Sequence, residues 1–173
     1  MPHDRDQTWL QEFRRKPQPA DTWLLRQGEE QRHFYYLHHG VVRAVYHSRH
    51  GAERVKEFYF PGECCFLYLN WLTSTPADYS LQMITAGEIS EIPLAVLDAP
   101  DNQHITTQLL IQQLIYKEKK EKMLLLHTPE QRYQYVLTHF PDWASQLTQR
   151  DLASYIGITP VSLSRIRQRI NKG

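Results

Sequence analysis

From His104 to His127 the sequence HITTQLLIQQLIYKEKKEKMLLLH contains neither glycine nor proline, so no residue interrupts one long helix. Ile105, Leu109, Leu110, Leu114, Ile115 and Met123 recur at helical spacing and form an apolar stripe. That stripe has two available partners: the chain's own body or the same helix of a second chain. The KEKKEK run within it reads as a solvated face.

Before Pro100 the period is different. TWLLRQ, HFYYLH, VVRAVYHS, RVKEFYF, SLQMIT and EISEIPL are short aromatic and β-branched runs, the pattern of strands. Gly28, Gly40, Gly51, Pro61 with Gly62, and Gly87 separate them at the spacing of a small antiparallel barrel or roll. Residues 6 to 15 suggest a short amphipathic helix ahead of this body, ended by Pro17 and Pro19.

The formal net charge of +1 conceals segregation. Between Lys56 and Lys117 there is no lysine or arginine, while Glu57, Glu63, Asp78, Glu88, Glu91, Asp98 and Asp101 fall in that interval. Beyond Asp142, Arg150, Arg165, Arg167, Arg169 and Lys172 outnumber the lone Asp151. An acidic middle and a basic tail imply different partners for the two regions. No stretch approaches the roughly 18 consecutive apolar residues of a membrane span, and the start, MPHDRDQTWLQEF, carries acids where a signal peptide needs an apolar run. The expectation is a cytoplasmic protein without a membrane partner. Cys64 and Cys65 are adjacent, so by themselves they neither close a useful loop nor supply a four-ligand metal site.

TPEQRYQYVLTHFPDW opens a further helix, with Thr128 as N-cap and Pro129 at its first position, stopped by Pro141. After a connector ending at Leu147, Thr148 caps a helix over residues 149 to 156, and Gly157 permits the positive φ that ends it. Thr159 caps a second helix that has Pro160 at its first position. A turn this short suits a crossed pair, with Leu152, Ile156, Ile158, Leu163 and Ile166 facing one another across Ala153. With Leu163, Ile166 and Ile170 inward, Val161, Arg165, Gln168 and Lys172 take the opposite face, flanked by Ser162 and Ser164. In a helix-turn-helix the second helix enters the major groove, where arginine reads guanine and glutamine adenine, while hydroxyls and flanking cations hold phosphates. Thr148, Gln149, Thr159 and Arg169 complete the expected DNA-binding set.

DTWLLRQGEEQRHFYYLHHGVVRAVY, FYFPGE, the long helix and LTQRDLASYIGITPVSLSRIR together resemble the CRP/FNR superfamily of bacterial transcription regulators, over roughly residues 20 to 170. The resemblance implies an α+β chain: an N-terminal antiparallel β-roll of cyclic-nucleotide-binding-like jelly-roll type, a long dimerisation helix and a C-terminal helix-turn-helix. On this basis residues 1–98 are the expected sensor, 99–126 the connector and dimer helix, and 127–173 the DNA module. The expected partners are a double-stranded, near-palindromic operator, a second copy through the 103–126 helix, and RNA polymerase. There are two departures. Pro160 and Val161 stand where the family's best-known reading pattern has arginine and glutamate, leaving only Arg165 in common, so a different base preference is expected. The sequence also stops at Gly173, without the full β-wing that many members carry, which implies fewer phosphate contacts.

Family members that bind cyclic nucleotides use a Gly-Glu pair and an arginine in the stretch that here reads PGECCFLYLNWLTSTPADYSLQ. Phe66, Leu67 and Tyr68 fall where the Gly-Glu pair is expected, and Asp78 with Tyr79 near the arginine position. A phosphodiester beside Asp78 would meet repulsion, so neither cyclic AMP nor cyclic GMP is the expected effector. Phe66, Tyr68, Trp71 and Tyr79, with Asn70 and Gln82 as polar readers, are the candidate effector residues, with core filling as the plainer reading. No cofactor or metal is expected; two adjacent cysteines do not suit an iron–sulfur cluster. His33, His38, His39, His47 and His50 crowd the strand runs and read as surface or turn residues, with haem ligation as the less favoured alternative. The alternatives are a metal-dependent β-roll enzyme and a protein-binding adaptor. The first needs two histidines on one strand face, whereas His38 and His39 point to opposite faces. The second predicts an apolar outer ridge where Arg165, Gln168 and Lys172 stand.

Overall fold

The computed structural model describes Leu10 and residues 12–170. Eight strands form two four-stranded antiparallel sheets: β1 (Arg15–Gln18), β2 (Trp23–Leu25), β3 (His33–His39), β4 (Val42–His47), β5 (Glu53–Tyr59), β6 (Cys64–Cys65), β7 (Ser80–Met83) and β8 (Gly87–Pro93). One sheet has the order β1-β8-β3-β6 and the other β2-β7-β4-β5. Six strands coincide with the six aromatic and β-branched runs. The other two arise from pairing: β1 runs along β8 from Arg15 opposite Ser90 to Gln18 opposite Gly87, and β6 sets Cys64 and Cys65 against Tyr36 and Tyr35. β1 corrects the expected N-terminal helix, because Arg15 opens a strand; residues 6–9 and 11 of that helix lie outside the described residues. Pro17 is tolerated in β1 because an edge strand has one side free of ladder bonds.

β3 shows how alternation builds this body. Tyr35 and Leu37 join a cluster with Val42, Ala44, Leu81, Met83 and Ile89 between the sheets. Phe34 and Tyr36 point the other way, into a second cluster with Phe66, Ile92, Leu97 and Ile105. Both faces are covered, so the strand reads as a continuous apolar run. Where β3 meets β8 the register shifts between Leu37 and His39, and a Cβ at residue 87 would overlap the His39 carbonyl. Gly87 is required there by the close approach of two backbones.

The second cluster is covered by α1 (Tyr68–Thr73), α2 (Ala95–Asp98) and the first turns of α3 (Gln103–Leu126), after a 3-10 turn at Pro100–Asn102. Four helices follow: α4 (Pro129–His139), α5 (Trp143–Gln146), α6 (Gln149–Tyr155) and α7 (Pro160–Ile170). α5 is a short helix within the expected connector. The chain forms two compact bodies, one ending at Leu109 and the other beginning at Leu110, so the division falls inside α3. The helix expected as a separate connector therefore contributes to both. Its stripe is likewise divided: Ile105 and Met123 are buried and Leu109 and Leu110 half so, whereas Leu114 and Ile115 are 62% and 50% exposed in the single chain, with Ile111 beside them at 52%. No helix among the described residues is long and apolar enough to cross a membrane.

Candidate nucleic-acid interface

The tail folds as its local signals dictate. Thr148 caps α6, its Oγ1 accepting from the Asp151 amide at 3.1 Å. α6 stops where Gly157 takes φ +74°, and the Ile158 amide donates back to the Ala153 carbonyl at 2.9 Å. Thr159 Oγ1 then accepts from the Ser162 amide at 3.1 Å and starts α7, with Pro160 in its first turn. Leu152, Ala153, Ile156, Leu163 and Ile166 are buried where the helices cross, Ile158 and Ile170 half so. α4 starts on a reciprocal cap: Thr128 Oγ1 accepts from the Gln131 amide and the Gln131 side chain accepts from the Thr128 amide.

Burying Leu163 and Ile166 fixes what α7 shows outside. At roughly 100° per residue, Val161, Arg165 and Gln168 lie opposite those two side chains, and all three are exposed, Val161 at 61%. Ser164 and Arg169 flank this ridge; Ser162 and Ser164 are half-buried and Arg167 is also exposed. Arg167 and Arg169 sit in the last turn, where they complement the helix dipole. Asp151, the one acid of residues 143–170, is buried at the N-terminus of α6, so no carboxylate of this pair competes with phosphate on the surface.

Several expected DNA contacts have internal duties. Thr148 Oγ1 also donates to Asp151 Oδ2 at 2.7 Å, and Thr159 Oγ1 lies 2.9 Å from Ser162 Oγ. Gln149 Nε2 donates to the Pro160 carbonyl at 2.9 Å, tying the two helices together. Arg169 pairs with Glu130 at 3.2 Å, and both remain well exposed, so exchange for a phosphate costs little. Lys172 lies outside the described residues.

The six candidate effector residues are taken up by packing and internal hydrogen bonds, with Tyr68 and Tyr79 both beside the buried Glu57. Phe66, Tyr68 and Trp71 stack on the second apolar cluster, with Phe66 and Tyr68 centroids 3.8 Å apart. Tyr79 belongs to the first cluster, with Lys56 Nζ 4.5 Å above its ring. Asn70 Nδ2 donates to the Pro76 carbonyl at 2.7 Å and to Thr75 Oγ1 at 3.1 Å, whereas its Oδ1 is buried with no hydrogen-bond partner among the described residues. Gln82 accepts from Arg43 Nε at 2.9 Å and donates to the Asp21 carbonyl. The polar residue that marks the interior is Glu57, buried beside the tyrosines. Burial first, and then the Glu57 charge, raises the pKa of Tyr59 and Tyr79; Tyr68 is raised by burial, then by Cys64 and Glu57. Glu57 and Tyr59 carry no local signal for this role, since they are alternate residues of an ordinary strand that closure of the roll turns inward.

Two of the histidines are engaged with neighbours, His38 Nε2 2.9 Å from Ser90 Oγ and His33 Nδ1 3.6 Å from Glu91, whereas His39 and His50 are exposed. No group of three or more histidine, cysteine, aspartate or glutamate side chains is placed to hold a metal among the described residues. Burial, and after it the Glu63 charge, pushes the Cys64 thiol up to about 12 and Cys65 well above its usual range.

Residues 15–99 match the cyclic nucleotide-binding domain family. The regulatory protein HlyX of Actinobacillus pleuropneumoniae is 24% identical over 177 aligned positions, covering 92% of this chain and 72% of that protein. The fumarate and nitrate reduction regulatory protein of Vibrio cholerae is 23% identical, covering 92% of this chain and 69% of that protein. In fold, the chain is similar to FixK2 from Bradyrhizobium japonicum, with a TM-score of 0.74 at 16% identity over 92% of this chain and 85% of the other.

Proposed function

We propose that this chain belongs to the CRP/FNR superfamily of bacterial transcription regulators and is a cytoplasmic homodimer that binds a near-palindromic operator. The chief support is the outer face of α7, where Val161, Arg165 and Gln168 are exposed directly opposite the buried Leu163 and Ile166. This face presents an arginine and an amide at the spacing needed to follow base edges along a major groove, and an apolar side chain suited to a thymine methyl. Ser162, Ser164, Arg167 and Arg169 supply the phosphate contacts that fix its register. Paired recognition helices would meet successive grooves about 34 Å apart. RNA polymerase is the further partner of this reading.

Selection of bound fragments from random DNA tests the proposal, followed by the same measurement on Arg165→Ala. The substitution is expected to cost roughly 1–3 kcal/mol per half-site and to relax preference at one base pair of each half-site. An unchanged sequence profile rejects Arg165 as a base reader, and failure of the wild-type chain to enrich any sequence rejects the function.

The β-roll is proposed not to respond to cyclic AMP or cyclic GMP. Its interior holds the buried Glu57 carboxylate among Tyr59, Tyr68 and Tyr79. The nearby cation Lys56 already lies 3.8 Å from Glu57, and Arg43 is paired with Glu53 at 3.1 Å. A phosphodiester in that setting loses its hydration and gains a like charge, whereas an uncharged or cationic molecule does not. Titration calorimetry is expected to show no saturable heat with either nucleotide; micromolar affinity overturns this assignment.

A further inference from the structure

We propose that Arg132 is a positioning residue that fixes the helix-turn-helix on the second half of α3 and thereby sets the operator half-site spacing the dimer accepts. The inference rests on the dimeric DNA-binding reading above. Its basis is a set of three backbone carbonyls whose normal helical donors are missing. The Leu124 carbonyl would accept from the Thr128 amide, but that amide donates to Gln131 Oε1 at 2.9 Å. The His127 carbonyl would accept from the Gln131 amide, which is held by Thr128 Oγ1 at 3.3 Å. The Ile156 carbonyl stands four residues before Pro160, which has no N–H. One guanidinium serves all three: Nη2 donates to Leu124 at 2.7 Å, Nε to His127 at 3.0 Å and Nη1 to Ile156 at 3.1 Å.

Two of these carbonyls belong to the C-terminal ends of different helices, α3 and α6, where a positive charge is also favoured by both dipoles. The donors are coplanar and rigidly spaced, so binding all of them fixes the angle between the two helices; a lysine supplies the charge without the fork. A second link joins the same helices, because Tyr116 Oη lies 2.8 Å from Tyr155 Oη and Lys120 Nζ stands 3.8 Å over the Tyr155 ring. α7 crosses α6, so the orientation of α6 on α3 carries over to the recognition helix. When α3 pairs with its copy, the separation of the two recognition helices is inherited from this joint.

The test measures affinity of the full chain for its selected operator, for fragments with the half-sites moved apart or together by one and two base pairs, and for a fragment with a single half-site. Wild type is expected to discriminate between spacings by roughly tenfold or more, the factor one charge-assisted hydrogen bond accounts for. Arg132→Lys and Arg132→Met should bind the single half-site within about threefold of wild type with the same salt dependence, because Arg132 neutralises no phosphate. Their discrimination between spacings should fall to about threefold or less. Tyr116→Phe, which removes only a hydroxyl, should broaden spacing preference in the same direction and keeps the test decisive if Arg132→Met does not fold. Spacing discrimination retained in Arg132→Lys and Tyr116→Phe overturns the proposal, as does an equal loss on all fragments. If the wild-type chain enriches no DNA, the functional reading itself has failed.

Discussion

Leu114→Glu is expected to leave the chain folded but monomeric, and to reduce operator binding to that of an isolated helix-turn-helix. Leu114 is 62% exposed in the single chain, so its loss removes little from the protein's own core, and glutamate is a good helix former. Ile111 and Ile115 flank it one helical turn or less away, and all three present apolar surface that the described residues of one chain leave uncovered. In a two-fold dimer each residue is counted twice. Burying a leucine side chain contributes about 1.5–3 kcal/mol, so the pair of substitutions removes roughly 3–6 kcal/mol before any repulsion between the new carboxylates is added. That raises the dimer dissociation constant by about 10²- to 10⁴-fold. Sedimentation equilibrium measures the association directly, and the melting temperature of the monomeric body serves as the control. A variant that sediments as wild type would show that α3 does not pair through this face.

Leu163→Ala should have the largest effect on folding within the DNA-reading pair. Leu163 is fully buried in α7 against α6, on the side opposite Val161 and Arg165. Truncation leaves a cavity where helices already close on Ala153 cannot approach further, and such changes cost about 2–5 kcal/mol. In a body of this size, each kcal/mol lowers the melting temperature by roughly 4–8 °C. Hydrogen exchange should locate the loss in residues 147–170 while the strands of the roll keep their protection, because the two lie in different compact bodies. Operator affinity falls with the folded fraction, but the ranking of sequences among bound fragments stays the same. A stability change below about 1 kcal/mol would mean that the helix crossing does not depend on Leu163.

These substitutions depend on features of different legibility. The tail could be read because its signals act within four residues: a hydroxyl at Thr148 reaching the Asp151 amide, a positive φ at Gly157, a proline at 160 following Thr159. Burial of Leu152, Ile156, Leu163 and Ile166 then follows from the helical period alone. Six strands were legible for the same reason, since period two acts along a short run. β1 and β6 were not: four residues containing a proline, and two adjacent cysteines, become strands only because β8 and β3 present unpaired edges to them. The aromatic residues around Tyr68 show a different limit. Composition marks them as apolar, but whether rings line a pocket or fill a core depends on which sheet face each meets after closure.

Arg132 marks the boundary most sharply. By sequence it is one cation in an amphipathic helix, four residues beyond an N-cap. Its structural role comes from the Leu124 and Ile156 carbonyls, 8 and 24 residues away, whose usual donors are taken or missing. By itself the sequence determined the long helix, the capped helices of the tail, six of the eight strands and the residues the recognition helix turns outward, because propensity, capping and periodicity are properties of neighbours along the chain. Only the tertiary structure decided where α3 divides, which apolar face remains uncovered, which carboxylate lies inside the roll and which arginine joins two helix ends. Those outcomes depend on groups distant in sequence meeting at hydrogen-bond range, and local preference carries no record of such meetings.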